Sequence, residues 1–259
     1  MGLLDGRKGL VFGIANDRSI ACHIAGRFVD AGAVCGFPHL PGEKNERRVR
    51  KALAEVAGPD PWLLPCNVAR DDDLDAVFDA VRSRFDAIDF VVHSIAYADR
   101  TFLKPGRFAE TPRDAFAEAI DISAYSLVAI ARRARDMMPN GGSIIAMTYY
   151  GSEKAIPGYN VMGVAKAALE ACTRYLAAEL GERGVRVNTI SAGPLRTLSS
   201  MAVGGIDEIF SWVSKKVPLR RNIDADEVGK TAVYLASDLA SGVTGENIYV
   251  DAGYNTVGL

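Results

Sequence analysis

Short apolar runs alternate along the chain with longer stretches whose apolar residues recur every three or four positions. The runs, rich in β-branched residues, fall at 9–15, 33–37, 62–68, 88–96, 142–149, 185–192 and 246–251. Near-continuous hydrophobicity suits strands covered on both faces. Residues 19–31 carry Ile20, Ile24, Phe28 and Ala31 on one helical stripe and stop at Gly32. Residues 44–57 read as a basic helix ending at Gly58. Asp71 or Asp72 is the expected cap of a helix over 73–85, where Leu74, Val77 and Val81 recur. Thr111-Pro112 reads as N-cap and N1 of a long helix to about 137. Residues 158–181 align Val161, Ala165, Ala168, Cys172, Leu176 and Leu180. Asp224-x-x-Glu227 is a capping-box variant before a helix over 225–237.

This alternation predicts an α/β fold, a parallel sheet with helices on both faces. A closed eightfold barrel also alternates but needs eight units. Seven strands and a glycine in the first strand–helix turn favour a single Rossmann-like, doubly wound sheet spanning residues 1–259. No internal repeat or linker divides it. The stretch 194–210 lacks clear periodicity and is rich in small residues (Ser199, Ser200, Gly204, Gly205). A loop of that length within a compact domain is expected to be functional.

Composition narrows the function classes. Hydrophobic residues at 49% and charged residues at 24% exclude general disorder. No run approaches the roughly 18 apolar residues of a membrane span. Residues 1–8 lack the apolar core of a secretory leader, so a cytoplasmic location is expected. A net charge of −2 gives no electrostatic reason to bind nucleic acid or an acidic membrane. Cysteines at 22, 35, 66 and 172 form no C-x-x-C and, with three scattered histidines, no zinc spacing. No metal is expected.

The first strand runs into Gly13, and the next helix starts at Ser19-Ile20. In a doubly wound sheet this turn sets helix N–H groups against a pyrophosphate. Ser19 can cap the helix and donate to a phosphate oxygen. The full G-x-G-x-x-G pattern is absent, so an ordinary capped turn stays open as the alternative. The second strand ends Pro38-His39-Leu40-Pro41, with neither an acid nor an arginine to choose between NAD and NADP. At the third strand's end, Asn67 can accept from an adenine amino group, with Val68 against the ring. The fourth ends His93-Ser94-Ile95-Ala96, small enough for a cofactor to lie across it; His93 reads as a core residue.

The chemical signal is Tyr149 followed by Tyr159 and Lys166. Seven residues on a helix is about 700°, so Tyr159 and Lys166 share a face. A phenol beside an ammonium is an acid or oxyanion donor. The alternative is a packing tyrosine and a surface lysine. Tyr150 and Lys154 match the common Y-x-x-x-K signature, but Gly151, Pro157 and Gly158 make that stretch a loop. The seven-residue spacing separates the two groups by about 10.5 Å, against about 6 Å for a spacing of four. That places the phenol further from a ribose-gripping lysine, which suits conjugate reduction of an enoyl thioester, where charge appears on a distant oxygen.

Together these residues resemble the FabI-type enoyl-[acyl-carrier-protein] reductases, a divergent branch of the short-chain dehydrogenase/reductase superfamily. The likeness runs from Gly13 to Gly253. It includes His93-Ser-Ile-Ala96, Asp121-Ile-Ser123, Asn160-Val-Met-Gly163, Arg186-Val-Asn188, Ile190-Ser-Ala-Gly-Pro-Leu-Arg-Thr197 and Gly242-Val-Thr-Gly-Glu246. The resemblance implies that Tyr159 bonds the thioester oxygen and that Lys166 holds the nicotinamide ribose. Tyr149 would line the acyl pocket and Ala98 touch the substrate. Gly13, Ser19, Ile20, Ser94, Ile95, Ala96, Leu195 and Thr197 would hold the pyrophosphate and nicotinamide end, and Asn67 and Val68 the adenine. Residues 195–210 would form a lid. It also implies an enoyl thioester on acyl-carrier protein as partner substrate and a homotetramer.

The chain departs from the family at Asn67, where aspartate is common, and at Pro38, His39 and Leu40. NADPH-using relatives have basic residues where Leu40 and Pro41 stand, so NADH is expected over NADPH. Two alternatives remain. A ketoreductase would use Tyr159, but Ala146 stands where its serine partner belongs, thirteen residues earlier. An inactive NAD(P)-binding regulator is the other.

Overall fold

A computed structural model describes residues 2–197, 200–202 and 206–257. Seven parallel strands form one sheet: β1 (Lys8–Phe12), β2 (Val34–His39), β3 (Trp62–Pro65), β4 (Phe90–His93), β5 (Gly142–Thr148), β6 (Val185–Ala192) and β7 (Asn247–Val250). Their order is β3-β2-β1-β4-β5-β6-β7. The direction of winding reverses between β1 and β4, the place where such sheets open a crevice at their carboxyl ends.

The described α-helices are α1 (Ile20–Asp30), α2 (Glu43–Leu53), α3 (Asp71–Arg84), α4 (Arg113–Ile120), α5 (Ser126–Ala134), α6 (Asn160–Leu180), α7 (Ile206–Lys216) and α8 (Ala225–Ala236). Successive strand residues feed opposite layers. Val11, Phe37 and Val92 pack with α1, α2 and α8, whereas Leu10, Phe12 and Val91 pack with α3, α5 and α6. Burial on both faces explains why the strands read as continuous apolar runs.

Several predicted boundaries move. β1 and β3 end before their apolar runs do: Gly13 turns the chain after β1 with φ +101°, and β3 stops at Pro65, whereas β2 continues past its run to His39. Ser19 occupies the N-cap of α1, but its hydroxyl does not cap. It accepts from the N–H groups of Ala15 and Asn16, 3.0 Å each, and holds the preceding loop instead. Asp71 and Asp72 are not caps; both lie in the first turn of α3, where carboxylates favour the helix dipole. Pro112, not Thr111, takes the N-cap of α4. The Asp224–Glu227 capping box forms as predicted, with Asp224 Oδ1 accepting from Asp226 N–H and Glu227 Oε2 accepting from Asp224 N–H.

Two larger differences concern the site. The long helix to 137 is interrupted by a π-helical turn at Asp121–Tyr125. Two serines explain it. Ser123 Oγ accepts from Tyr97 N–H at 2.9 Å and donates to Tyr97 O at 3.0 Å. Ser126 Oγ donates to Ile122 O at 2.7 Å and meets His93 Nε2 at 2.7 Å. The widened turn presents these hydroxyls to the segment after β4, as π turns at functional sites often do. The second difference is α7: residues 194–210 are not loop throughout, because α7 begins at Ile206. Its Val213, with Ile209 and Trp212 alongside, packs onto the first layer. Residues 198–199 and 203–205 of the expected lid lie outside the described residues.

Candidate active site

Gly13 lies where β1 and β4 part. A Cβ there would stand 2.0 Å from Ser94 O, so both its positive φ and its closeness to β4 demand glycine. Ser94 N–H donates to Phe12 O at 3.3 Å. Because the Ser19 hydroxyl is turned back, the N–H groups of Ile20 and Ala21 have no partner among the described residues. Free N–H groups at a helix start are an anion site.

Lys166 comes up from α6 beneath the strand ends and is 5% exposed. Its Nζ donates to Met147 O at 2.7 Å and to Ile95 O at 3.3 Å. An ammonium has three N–H donors, so one is left for a ligand hydroxyl. Burial pulls its pKa down to about 8, opposed by the nearby Glu170 charge.

Tyr159 is the N-cap of α6, seven residues before Lys166. Its ring meets Tyr149 edge-on, with centroids 4.9 Å apart and planes at 80°. Ala98, 7% exposed, belongs with Val161, Met162 and Ala165 to a small cluster against which Tyr159 packs. Gly151 is what seats the ring: a Cβ there would lie 2.4 Å from Tyr159 Cδ1. Burial pushes both phenols well above the ordinary tyrosine range, so each stays protonated. Tyr150 lies in a short 3-10 turn (Tyr150–Ser152) and Lys154 is exposed in the loop beyond.

The remaining residues spread along the strand ends. Ile95 packs on the second layer and Ala96 is exposed beside it. Asn67 and Val68 follow β3, two strands from β1, about 10 Å away. Asn67 Oδ1 accepts from Ala69 N–H at 3.1 Å, which fixes its orientation and leaves one lone pair. Leu195 packs on the first layer. The Thr197 hydroxyl accepts from Ser200 N–H at 3.1 Å, closing a local turn. Arg196 ties this segment to α7 through Asp207 at 2.8 Å and the Phe210 ring at 4.6 Å.

His93 is fully buried, and burial with the Lys166 charge lowers its pKa to about 3. It is a neutral core imidazole, as its place at the end of an apolar strand predicts. His39 turns inward with Nδ1 2.9 Å from Leu40 O, and Leu40 is 60% exposed at the β2 tip.

Two polar side chains that the sequence reading did not single out complete the site. Asn160 adopts φ +45° at the start of α6, and its Nδ2 donates to Phe102 O at 2.5 Å and Lys104 O at 2.8 Å. It ties the 100–104 segment beside Tyr159. Glu170, one turn beyond Lys166, accepts from Thr148 Oγ1 at 2.6 Å. Spacing of four from Lys166 on the buried face was the available signal for Glu170.

A dinucleotide fits these features. The unpartnered N–H groups of α1 suit a pyrophosphate, and the spare Lys166 donor suits a ribose hydroxyl. The glycine at 13 leaves the backbone open to a close ligand.

The family model described as enoyl-(acyl carrier protein) reductase matches residues 13–255. A relative from Nostoc sp. named enoyl-[acyl-carrier-protein] reductase [NADH] FabI is 50% identical, over 99% of each chain. The Staphylococcus aureus enoyl-[acyl-carrier-protein] reductase [NADPH] FabI is 46% identical over 98% of each. A crystal structure of the Bacillus cereus enoyl-acyl carrier protein reductase with NADP+ and indole naphthyridinone is 49% identical, with a TM-score of 0.96 and full coverage of both chains. By sequence and by fold, the chain belongs to the enoyl-(acyl carrier protein) reductase family.

Proposed function

We infer that this chain reduces the trans-2 double bond of enoyl thioesters carried on acyl-carrier protein, with NADH, in fatty-acid synthesis. The observation that carries this reading is that Lys166 bonds the carboxyl ends of β4 and β5, beside the place where the sheet's winding reverses, with Tyr159 two turns before it at the start of α6 and packed on Tyr149. The nicotinamide supplies the hydride. Tyr159 donates a hydrogen bond to the thioester oxygen and holds it as the enolate forms, and the α-carbon then takes a proton from water or through a tyrosine-linked relay. The Lys166 ammonium anchors the ribose and adds a positive charge beneath that oxygen. A preorganised donor of this kind contributes about 3–4 kcal/mol to lowering the barrier. Tyr149 and Ala98 line the acyl side. Gly13, Ser19 and Ile20 shape the pyrophosphate end, with Ser94, Ile95, Ala96, Leu195 and Thr197 around the nicotinamide and Asn67 and Val68 at the adenine. Ser19 acts through its loop and backbone rather than as a helix cap.

The absence of a cation at Leu40 and Pro41 supports NADH over NADPH, as do most of the similar relatives by name. Residues 195–210 serve as the lid of a one-domain enzyme, with Arg196 joining its described parts. No helix among the described residues is long and apolar enough to cross a membrane, which accords with a cytoplasmic enzyme. The exposed Tyr125 and Tyr175 on the α4–α6 side support pairing of these helices in a homotetramer.

Ala146, fully buried and without a hydroxyl, speaks against ketoreduction. The test follows NADH absorbance with crotonyl thioester and then with a β-ketoacyl thioester. Turnover of the first alone is expected. Oxidation with the second makes it a ketoreductase, and turnover of neither makes it a regulator.

A further inference from the structure

Glu170 is a buried carboxylate, 9% exposed, whose hydrogen-bond partner is the neutral hydroxyl of Thr148. A buried charge held only by a neutral group is unfavourable, so its place calls for an electrostatic reason. Its position supplies one. Glu170 lies one helical turn beyond Lys166 on the same face of α6. Thr148, which orients it, stands in β5 between Met147, whose carbonyl takes the Lys166 ammonium, and Tyr149. The carboxylate therefore acts on Lys166 from one turn away and also on Tyr159, and it is tied through Thr148 to the strand end next to Tyr149.

We propose that Glu170 is a positioning residue for the reductase reaction: the fixed counter-charge of the Lys166 ammonium, tied by Thr148 to the strand end that carries Tyr149. This rests on the function proposed above. Lys166 loses water on entering the fold and gains two carbonyl oxygens, which stabilise it only partly. A negative charge one turn away restores the balance toward the ammonium, and it disfavours the phenolate at Tyr159. Both effects hold the pair in one state, a charged amine and a protonated phenol. The other groups around this carboxylate are weaker rivals. Tyr249 of β7, also influenced by Glu170, donates to the exposed Glu153, and His93 under β4 is neutral.

The experiment compares wild type with Glu170→Gln, which keeps the shape and can still bond Thr148, and with Glu170→Asp, which keeps the charge. NADH affinity by fluorescence and kcat/KM with crotonyl thioester are followed from pH 6 to 10. NADH affinity reads Lys166 whatever the acyl substrate is, so a wild type that binds NADH but turns over no enoyl thioester refutes the function while leaving this test intact. An opposite charge at about 4–6 Å moves a pKa by one unit or more. In Glu170→Gln the alkaline fall of both quantities is expected to move about one unit toward acid, and Glu170→Asp is expected to keep the wild-type limb. A limb that stays put in Glu170→Gln, or moves equally in Glu170→Asp, overturns the proposal. If Glu170→Gln does not fold, Lys166→Met/Glu170→Gln decides: a folded double variant supports the pairing, and an unfolded one makes Glu170 merely structural.

Discussion

Lys166 is charged at a place that disfavours charge, and the size of that conflict can be measured. Burial lowers its pKa from 10.5 to about 8. At about 1.4 kcal/mol per unit, that gap corresponds to about 3 kcal/mol between the two protonation states. The sign follows from linkage. Below pH 8 both folded and unfolded chains hold the proton, and the folded state bears the full penalty. Between about 8 and 10.5 the unfolded chain still binds a proton that the folded chain has released, so stability rises with pH. Lys166→Met removes the titration while keeping most of the side chain's bulk. Urea unfolding at pH 7, 8, 9 and 10, at one protein concentration, measures the difference between the two proteins. Wild type is expected to gain on the variant by up to about 3 kcal/mol across this window. Tyr149 and Tyr159, whose phenols burial pushes up, titrate in both proteins and cancel in the difference. A difference that stays flat with pH would refute the claim that a buried ammonium lies under the site.

Other outcomes follow from the same geometry. Tyr159→Phe keeps the ring against Tyr149 and Ala98, so melting temperature and NADH affinity should hold while kcat falls on the order of 10²–10³-fold; a kcat within a few-fold of wild type contradicts the donor role. Gly13→Ala forces a Cβ against Ser94 O at a positive φ, which should destabilise by about 2–5 kcal/mol and abolish NADH binding; an unchanged urea midpoint shows that the turn can relax. Leu40→Arg places a cation at the β2 tip and should raise NADPH preference about tenfold, read as the ratio of kcat/KM values for the two cofactors; an unmoved ratio puts the selecting residue elsewhere.

The parts of this molecule that local sequence encodes were legible from it. The parallel sheet shows as apolar runs because each strand is covered twice, and the capping box before α8 needs only residues 224–227. Tyr159 and Lys166 could be paired because both belong to one helix and its cap. The π turn could not be read, since its cause is a hydroxyl at 123 meeting backbone at 97. Ser19 looked like a cap because its partners at 15 and 16 depend on how the loop folds back. The partners of Asn160 and Glu170 were hidden for the same reason: Phe102, Lys104 and Thr148 become neighbours only once the sheet has formed. The helix α7 was obscured by the glycines at 204 and 205 next to it in the chain.

The position of β1 at the middle of the sheet shapes how this protein is made. Its β4 neighbour lies some eighty residues downstream, and the β5 and α6 groups come later still. A ribosome must therefore release about a third of the polypeptide before the first strand acquires its second partner. Until then a Val- and Leu-rich edge stands open to other nascent chains, the kind of exposure that non-local pairing imposes. Catalytic competence should emerge abruptly during synthesis, and conditions that slow elongation should provoke aggregation before any partially active species accumulates.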